Sequence, residues 1–247
     1  MNGNLPADVQ RGAGLLIFAL AALLVAAYSV LATLAVFRAT LTPRARTSAP
    51  WLVAGYLGVW LAAALVTGDG ANFPLANPDR RLAISVTIGF GPMFLAFALL
   101  AGSQTVRALN DAMQPEWLIF VQSYRMAGLM FLFPFLYFGA VPAAFAVPAA
   151  LGDFLTGLAA PFVGVAVARR YRRARALAVA WNLFGLLDLT VAPAAALLSR
   201  AGVVAIYPLA LVPLFLGPPL GILTHVLSLR NLARRPSLEA ETEGAVS

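Results

Sequence analysis

The 247-residue chain has no cysteine, no lysine and a single histidine, His225. Without cysteine there is no disulfide, thiolate nucleophile, iron–sulfur cluster or CxxC zinc site. One histidine cannot supply bis-histidine haem ligation, a three-histidine zinc set or an H-E-x-x-H pair, so neither a metal nor a cofactor is expected. A retinal Schiff base needs a lysine amine, so composition alone excludes a retinal photoreceptor. Phosphate loops, dinucleotide fingerprints and G-x-S-x-G elbows are absent too. Charge is scarce: 11% of residues are charged and 61% hydrophobic, against about 25% and roughly 45–50% in soluble proteins. An ordinary soluble globule is thereby excluded.

Long apolar runs fill the chain instead. A helix that crosses about 30 Å of hydrocarbon needs roughly 20 apolar residues. Seven runs qualify, at 14–37, 51–68, 82–102, 117–138, 141–168, 177–198 and 203–229. Gly139 and Pro142 supply a tight turn between the fourth and fifth. The expected fold is all-α, a polytopic integral membrane bundle of seven transmembrane helices. Its expected segments are an N-terminal stretch 1–13, a transmembrane domain 14–229, and a tail 230–247, disordered from Pro236 onward because it carries glutamates among small residues. The first run is too long for a signal-peptide core.

All 17 basic residues are arginine, and their distribution sets an orientation. Arg11, Arg80, Arg81 and Arg200 fall on one side of the seven runs, and twelve arginines fall on the other. Short cytoplasmic loops retain positive charge, so the N-terminus is expected outside and the C-terminus in the cytoplasm. Trp51, Trp117 and Trp181 fall at or near cytoplasmic span ends, where an indole prefers the interface. The arginine-for-lysine bias is the composition of a GC-rich genome, and the expected location is a bacterial inner (plasma) membrane. The net charge of +7 is thus a topology signal rather than a nucleic-acid footprint. The partners expected are the lipid bilayer itself, a small-molecule or ion substrate, and anionic lipid headgroups at Arg169, Arg170, Arg172, Arg173 and Arg175.

Ionisable residues inside the runs are the informative positions, because each costs about 2.5–3.5 kcal/mol at the bilayer centre and tends to be paired or functional. Arg125 lies in run four, Asp153 in run five and Asp188 in run six. In run five Ala146, Ala149, Asp153, Gly157, Ala160 and Gly164 recur at helical spacing, a small-residue stripe that lets helices approach. Asn182, Gly185, Asp188, Ala192 and Ala195 repeat the pattern in run six, and Gly217, Gly221, Thr224 and Ser228, with His225 beside them, in run seven. Gln122 sits one turn before Arg125. The candidate binding set is Arg125, Asp153, Asp188, Asn182, Gln122, Tyr124, Thr156 and His225, on a polar interior built from runs four to seven.

Arg125 neutralises one aspartate, and two acids against one base leave a surplus carboxyl. That carboxyl is expected to bind a proton, a transported cation or a polar ligand. Gly89-Phe90-Gly91-Pro92 in run three, and Pro208, Pro213 and Gly217-Pro218-Pro219 in run seven, are helix breakers at cavity depth. The leading expectation is a small-solute or ion permease, proton-coupled through Asp153 or Asp188. The alternatives are an intramembrane enzyme using paired aspartates on a lipid or peptide, and a non-catalytic sensor or assembly partner. Gly152-Asp153 is similar to the Gly-x-Gly-Asp of intramembrane aspartyl proteases, but position 150 is Ala and no Tyr precedes Asp188.

Overall fold

The computed structural model describes residues 6–68, 78–199 and 209–235, and every regular element among them is helical. In chain order these are α1 (Ala7–Val36), α2 (Pro43–Gly68), α3 (Pro78–Gly102), α4 (Gln104–Ala112) and α5 (Pro115–Val121). A 3₁₀ segment (Gln122–Phe131) joins α5 to α6 (Leu132–Phe138). There follow α7 (Ala143–Ala168), α8 (Ala174–Leu198), a π-helical turn (Val212–Leu216) and α9 (Pro218–Ala233). The tail from Pro236, Arg200, Pro208 and the first residues of the seventh run lie outside the described residues.

Six of the expected runs overlap helices long and apolar enough to cross a membrane: α1, α2, the composite Pro115–Phe138, α7, α8 and Val212–Ala233. The remaining run falls in α3, which turns by 98° into α4; taken as one span, that pair makes a seventh. The molecule is a helical bundle fit for a membrane. Residues between the third and fourth runs, which periodicity leaves as a loop, form the additional helix α4. Ser103 caps it by accepting from the Val106 amide at 3.3 Å, and it buries Leu109 and Asn110.

The tight turn after the fourth run takes the form its glycine suggests. Gly139 adopts φ +57°, its amide donates to Phe135 O at 3.2 Å, and the Ala140 amide donates to Pro134 O at 3.0 Å. The first of these is the 5→1 bond of an αL cap, and the left-handed position favours glycine. Between α7 and α8 the left-handed positions fall on Arg170 (φ 51°) and Arg173 (φ 64°), which have a Cβ and give a compact basic turn.

Large apolar side chains cover the outside: Leu23, Val59, Phe94, Leu136 and Phe162 are each more than 60% exposed. Water would penalise such a surface, whereas lipid tails accept it. Inside, α9 and the π turn form the most enclosed element, touching α3, α5 and α8. Trp60 anchors the core beside them, edge-on to Phe215 at 5.2 Å. Prolines 218 and 219 lack amide hydrogens, so the carbonyls of Leu214 and Phe215 lose their helical donors. Trp60 Nε1 donates to Leu214 O at 3.0 Å, and the Tyr124 hydroxyl donates to Leu216 O. The broken span is thus held by aromatic donors from other helices.

One expectation about tryptophan is corrected. Trp51 is exposed, and Arg38 stacks 4.7 Å above Trp117, as interfacial rings do. Trp181 is instead buried, its Nε1 donating to Thr156 O at 3.0 Å, because its helix face points into the bundle rather than to a span end.

Candidate functional site

Arg125 sits in the 3₁₀ segment, whose buried residues are Gln122, Arg125, Gly128 and Phe131. A 3₁₀ helix has three residues per turn, so these four stack in one straight row facing α7 and α9. Ten residues is long for such a helix, which rarely exceeds 3–4 and marks hinges when it interrupts an α-helix.

All three guanidinium nitrogens are used. Nε donates to Asp153 Oδ1 of α7 at 2.6 Å, the NH2 group donates to Asp188 Oδ2 of α8, and NH1 meets His225 Nε2 of α9 at 3.0 Å. An arginine N–H only donates, so Nε2 of His225 accepts and the ring proton sits on Nδ1. From Nδ1 it donates to Asn182 Oδ1 at 2.9 Å, and Asn182 Nδ2 donates to Ala178 O at 2.8 Å and Ser228 Oγ at 3.2 Å. Trp181 lies against the His225 ring at 4.9 Å. His225, Asn182 and Arg125 are buried, and the Asp188 and Asp153 side chains retain 8% and 15% exposure. One cation, two carboxyl groups and a neutral imidazole therefore share a largely buried interior.

Glycines make this packing possible. A Cβ on Gly152 would collide with the Asp188 carboxylate, and one on Gly128 with Asp153. A Cβ on Gly185 would strike the His225 ring and lie 3.1 Å from Arg125, and one on Gly157 would strike the Met126 amide. Gly128, Gly152 and Gly185 thus serve as sockets for Asp153, Asp188 and His225, and Gly157 of the α7 stripe lets the 3₁₀ backbone approach α7.

A half-open recess of 20 Å³, called the cavity below, adjoins the network, room for one water, which needs roughly 10–15 Å³ by this measure. Leu20 of α1, Tyr124, Arg125, Gly128, Asp153 and Gly217 are among its walls. Asp188 is not.

Of the eight expected residues, Arg125, Asp153, Asp188, Asn182 and His225 form the network. Gln122 lies beside it, donating to Gly221 O at 3.2 Å while its Oε1 is buried without a partner. Tyr124 lines the cavity. Thr156 is separate: its hydroxyl donates to Gly152 O at 2.8 Å in its own helix, and only its carbonyl takes part, through Trp181. Sequence reasoning missed Tyr28, whose hydroxyl pairs with Thr224, and the roles of Gly128, Gly152 and Trp181. The three-residue spacing of Gln122, Arg125 and Gly128 was a usable signal for a 3₁₀ face. A contact between α1 and α9 has none. Among the described residues no group of three His, Asp or Glu side chains gathers as a metal set.

The family model for a domain of unknown function (DUF8737) matches residues 81–233. The chain belongs to this family. No curated protein and no solved structure matches it. The DUF8737 region encloses all eight expected residues and the four socket glycines, whereas α1 and α2 lie outside it. Those two helices add Leu20 to the cavity wall, Tyr28 to Thr224 and Trp60 to the broken span. The polar interior is thus a property of the DUF8737 part, packed against an N-terminal helix pair.

Proposed function

We propose that the protein is a small-solute or ion permease in a closed form, with seven spans, the N-terminus outside and its working site at the Arg125 network. The observation that carries this reading is the one-water cavity bounded by Arg125 and Asp153 and placed against the broken span. Buried charge next to irregular backbone and a cavity is the arrangement used where polar species cross hydrocarbon. The cavity is too small for a solute, so passage requires the 3₁₀ segment or the π turn to move. Arg125 links α7, α8 and α9, and releasing one partner frees one helix.

Protein reconstituted into liposomes with an entrapped pH-sensitive dye, under an imposed potassium diffusion potential, tests the reading. Proton flux above that of empty liposomes is expected, abolished in Arg125→Ala. Flux equal to empty liposomes for protons, sodium and chloride would overturn it.

The orientation has its own test, because the chain has no native cysteine. Ala140→Cys should react with a membrane-impermeant maleimide on intact cells, and Arg172→Cys only after permeabilisation. The opposite pattern reverses the topology.

A second reading, an assembly or sensor protein whose charges fix the fold, is favoured by one fact: the guanidinium has no nitrogen left without a partner. Absent flux together with a large melting loss in Arg125→Ala would support it. The enzymatic alternative has less support, since each carboxylate faces the same guanidinium instead of sharing a proton with the other.

A further inference from the structure

We infer that the mobile proton of this interior resides on Asp153, at the oxygen facing the cavity, and that Asp188 is the permanent counter-ion of Arg125. The role of this proton in transport rests on the permease reading above; its location does not.

Because His225 accepts from Arg125, the ring is neutral, and two ionised carboxylates would leave the enclosed cluster with one uncompensated negative charge. Uncompensated charge in hydrocarbon is expensive, so one carboxyl carries a proton.

Geometry then separates the two acids. Asp188 meets a terminal guanidinium nitrogen, its carboxylate fills the socket over Gly152, and it is absent from the cavity wall. Asp153 receives Arg125 Nε through Oδ1 only, forms part of the cavity wall and keeps 15% exposure. Its Oδ2 lies 2.9 Å from where a Gly128 Cβ would be, and Gly128 is itself a cavity wall. A proton on Oδ2 leaves the Nε bond intact, because Oδ1 still accepts as the carbonyl oxygen. Protonation therefore neutralises the cluster without rearranging it. A hydronium in the one-water cavity gives up one O–H bond, Asp153 Oδ2 gains it, and a neutral water is left behind.

The charged and titratable groups around Asp153 are consistent with this assignment. From the 3₁₀ segment come Arg125 and Tyr124, from α8 Asp188 and from α9 His225. From α1 the cavity receives only Leu20, and Tyr28 is taken up by Thr224.

Infrared difference spectroscopy of the full chain in lipid nanodiscs tests the assignment, since a protonated carboxyl has a C=O stretch that a carboxylate lacks. A buried carboxyl band at neutral pH, shifted in heavy water, is expected in wild type. It should disappear in Asp153→Asn, stay at the aspartic-acid position in Asp188→Glu, which keeps the counter-ion's charge, and move to the glutamic-acid position in Asp153→Glu, which covers the case in which the asparagine variant does not fold. In Leu20→Phe, which fills the cavity, its hydrogen–deuterium exchange should slow at least tenfold. The inference is overturned if wild type has no such band, if the band survives Asp153→Asn or moves to the glutamic-acid position in Asp188→Glu, or if exchange is unchanged when the cavity is filled.

Discussion

Replacing Arg125 with alanine is the most informative single perturbation. The side chain holds Asp153, Asp188 and His225 at once, and its removal leaves two buried carboxyls and an imidazole acceptor with no donor. Breaking a buried ion pair from one side costs about 3–5 kcal/mol, because the remaining charge is stranded. Removing Asp153 as asparagine differs: Arg125 keeps Asp188, an amide oxygen still accepts from Nε, and the cluster, already neutral with Asp153 protonated, stays neutral. A loss of about 1 kcal/mol or less is expected there, the net worth of one hydrogen bond. Asp188→Asn removes the better buried counter-ion and should fall between, near ~2 kcal/mol. For a chain of this size a kilocalorie corresponds to roughly 2–4 °C in Tm. Melting in a mild detergent, followed by tryptophan fluorescence, should therefore rank the variants Arg125→Ala, Asp188→Asn, Asp153→Asn from most to least destabilised. Equal tolerance of all three would refute the idea that the guanidinium holds the helices together. A larger loss for Asp153→Asn than for Asp188→Asn would refute the asymmetry between the acids.

Three further outcomes are expected. Gly152→Ala and Gly185→Ala place a methyl group against Asp188 and His225 and should lower Tm by the equivalent of about 1–3 kcal/mol, whereas Gly55→Ala and Gly58→Ala, with open space around them, should be neutral in the same assay. Trp60→Phe keeps an aromatic ring against Phe215 but strands the Leu214 carbonyl, for a loss of ~1–3 kcal/mol; a melt unchanged from wild type would show that the broken span needs no external donor. Arg169, Arg172 and Arg173 are exposed on the basic turn, and their combined change to alanine should reduce phosphatidylglycerol retained on purification, read by native mass spectrometry, by about fivefold per arginine; unchanged retention would leave the turn as a topology anchor alone.

Much of the fold was legible in composition and spacing, and what was hidden has physical causes. The apolar runs coincide with helices because hydrocarbon forces every backbone group to pair within its own segment, so length and apolarity suffice to find a span. The stripes of α7 and α8 correctly oriented Asp153, Asn182, Gly185 and Asp188, since a helical period is local information. α4 escaped because nine residues of mixed polarity resemble a loop until something packs beneath Leu109 and Asn110. Thr156 shared a face with Asp153 yet bonds to its own helix, a choice that spacing does not encode.

By itself, then, the sequence determined that the protein is a helical bundle for a membrane, that its charge lies outside the apolar runs, and that Arg125, Asp153 and Asp188 are the exceptions. Tertiary structure alone decided that the exceptions meet. It brought residues 28 to 100 positions apart onto one guanidinium, set the protonated nitrogen of His225, and left the small cavity beside Asp153 and not Asp188. The reason is that a helical period fixes the direction of a side chain on its own axis, whereas partners depend on how the axes are placed against each other. That placement follows from the sockets over Gly128, Gly152, Gly157 and Gly185, and depth of contact is invisible until two helices are in place.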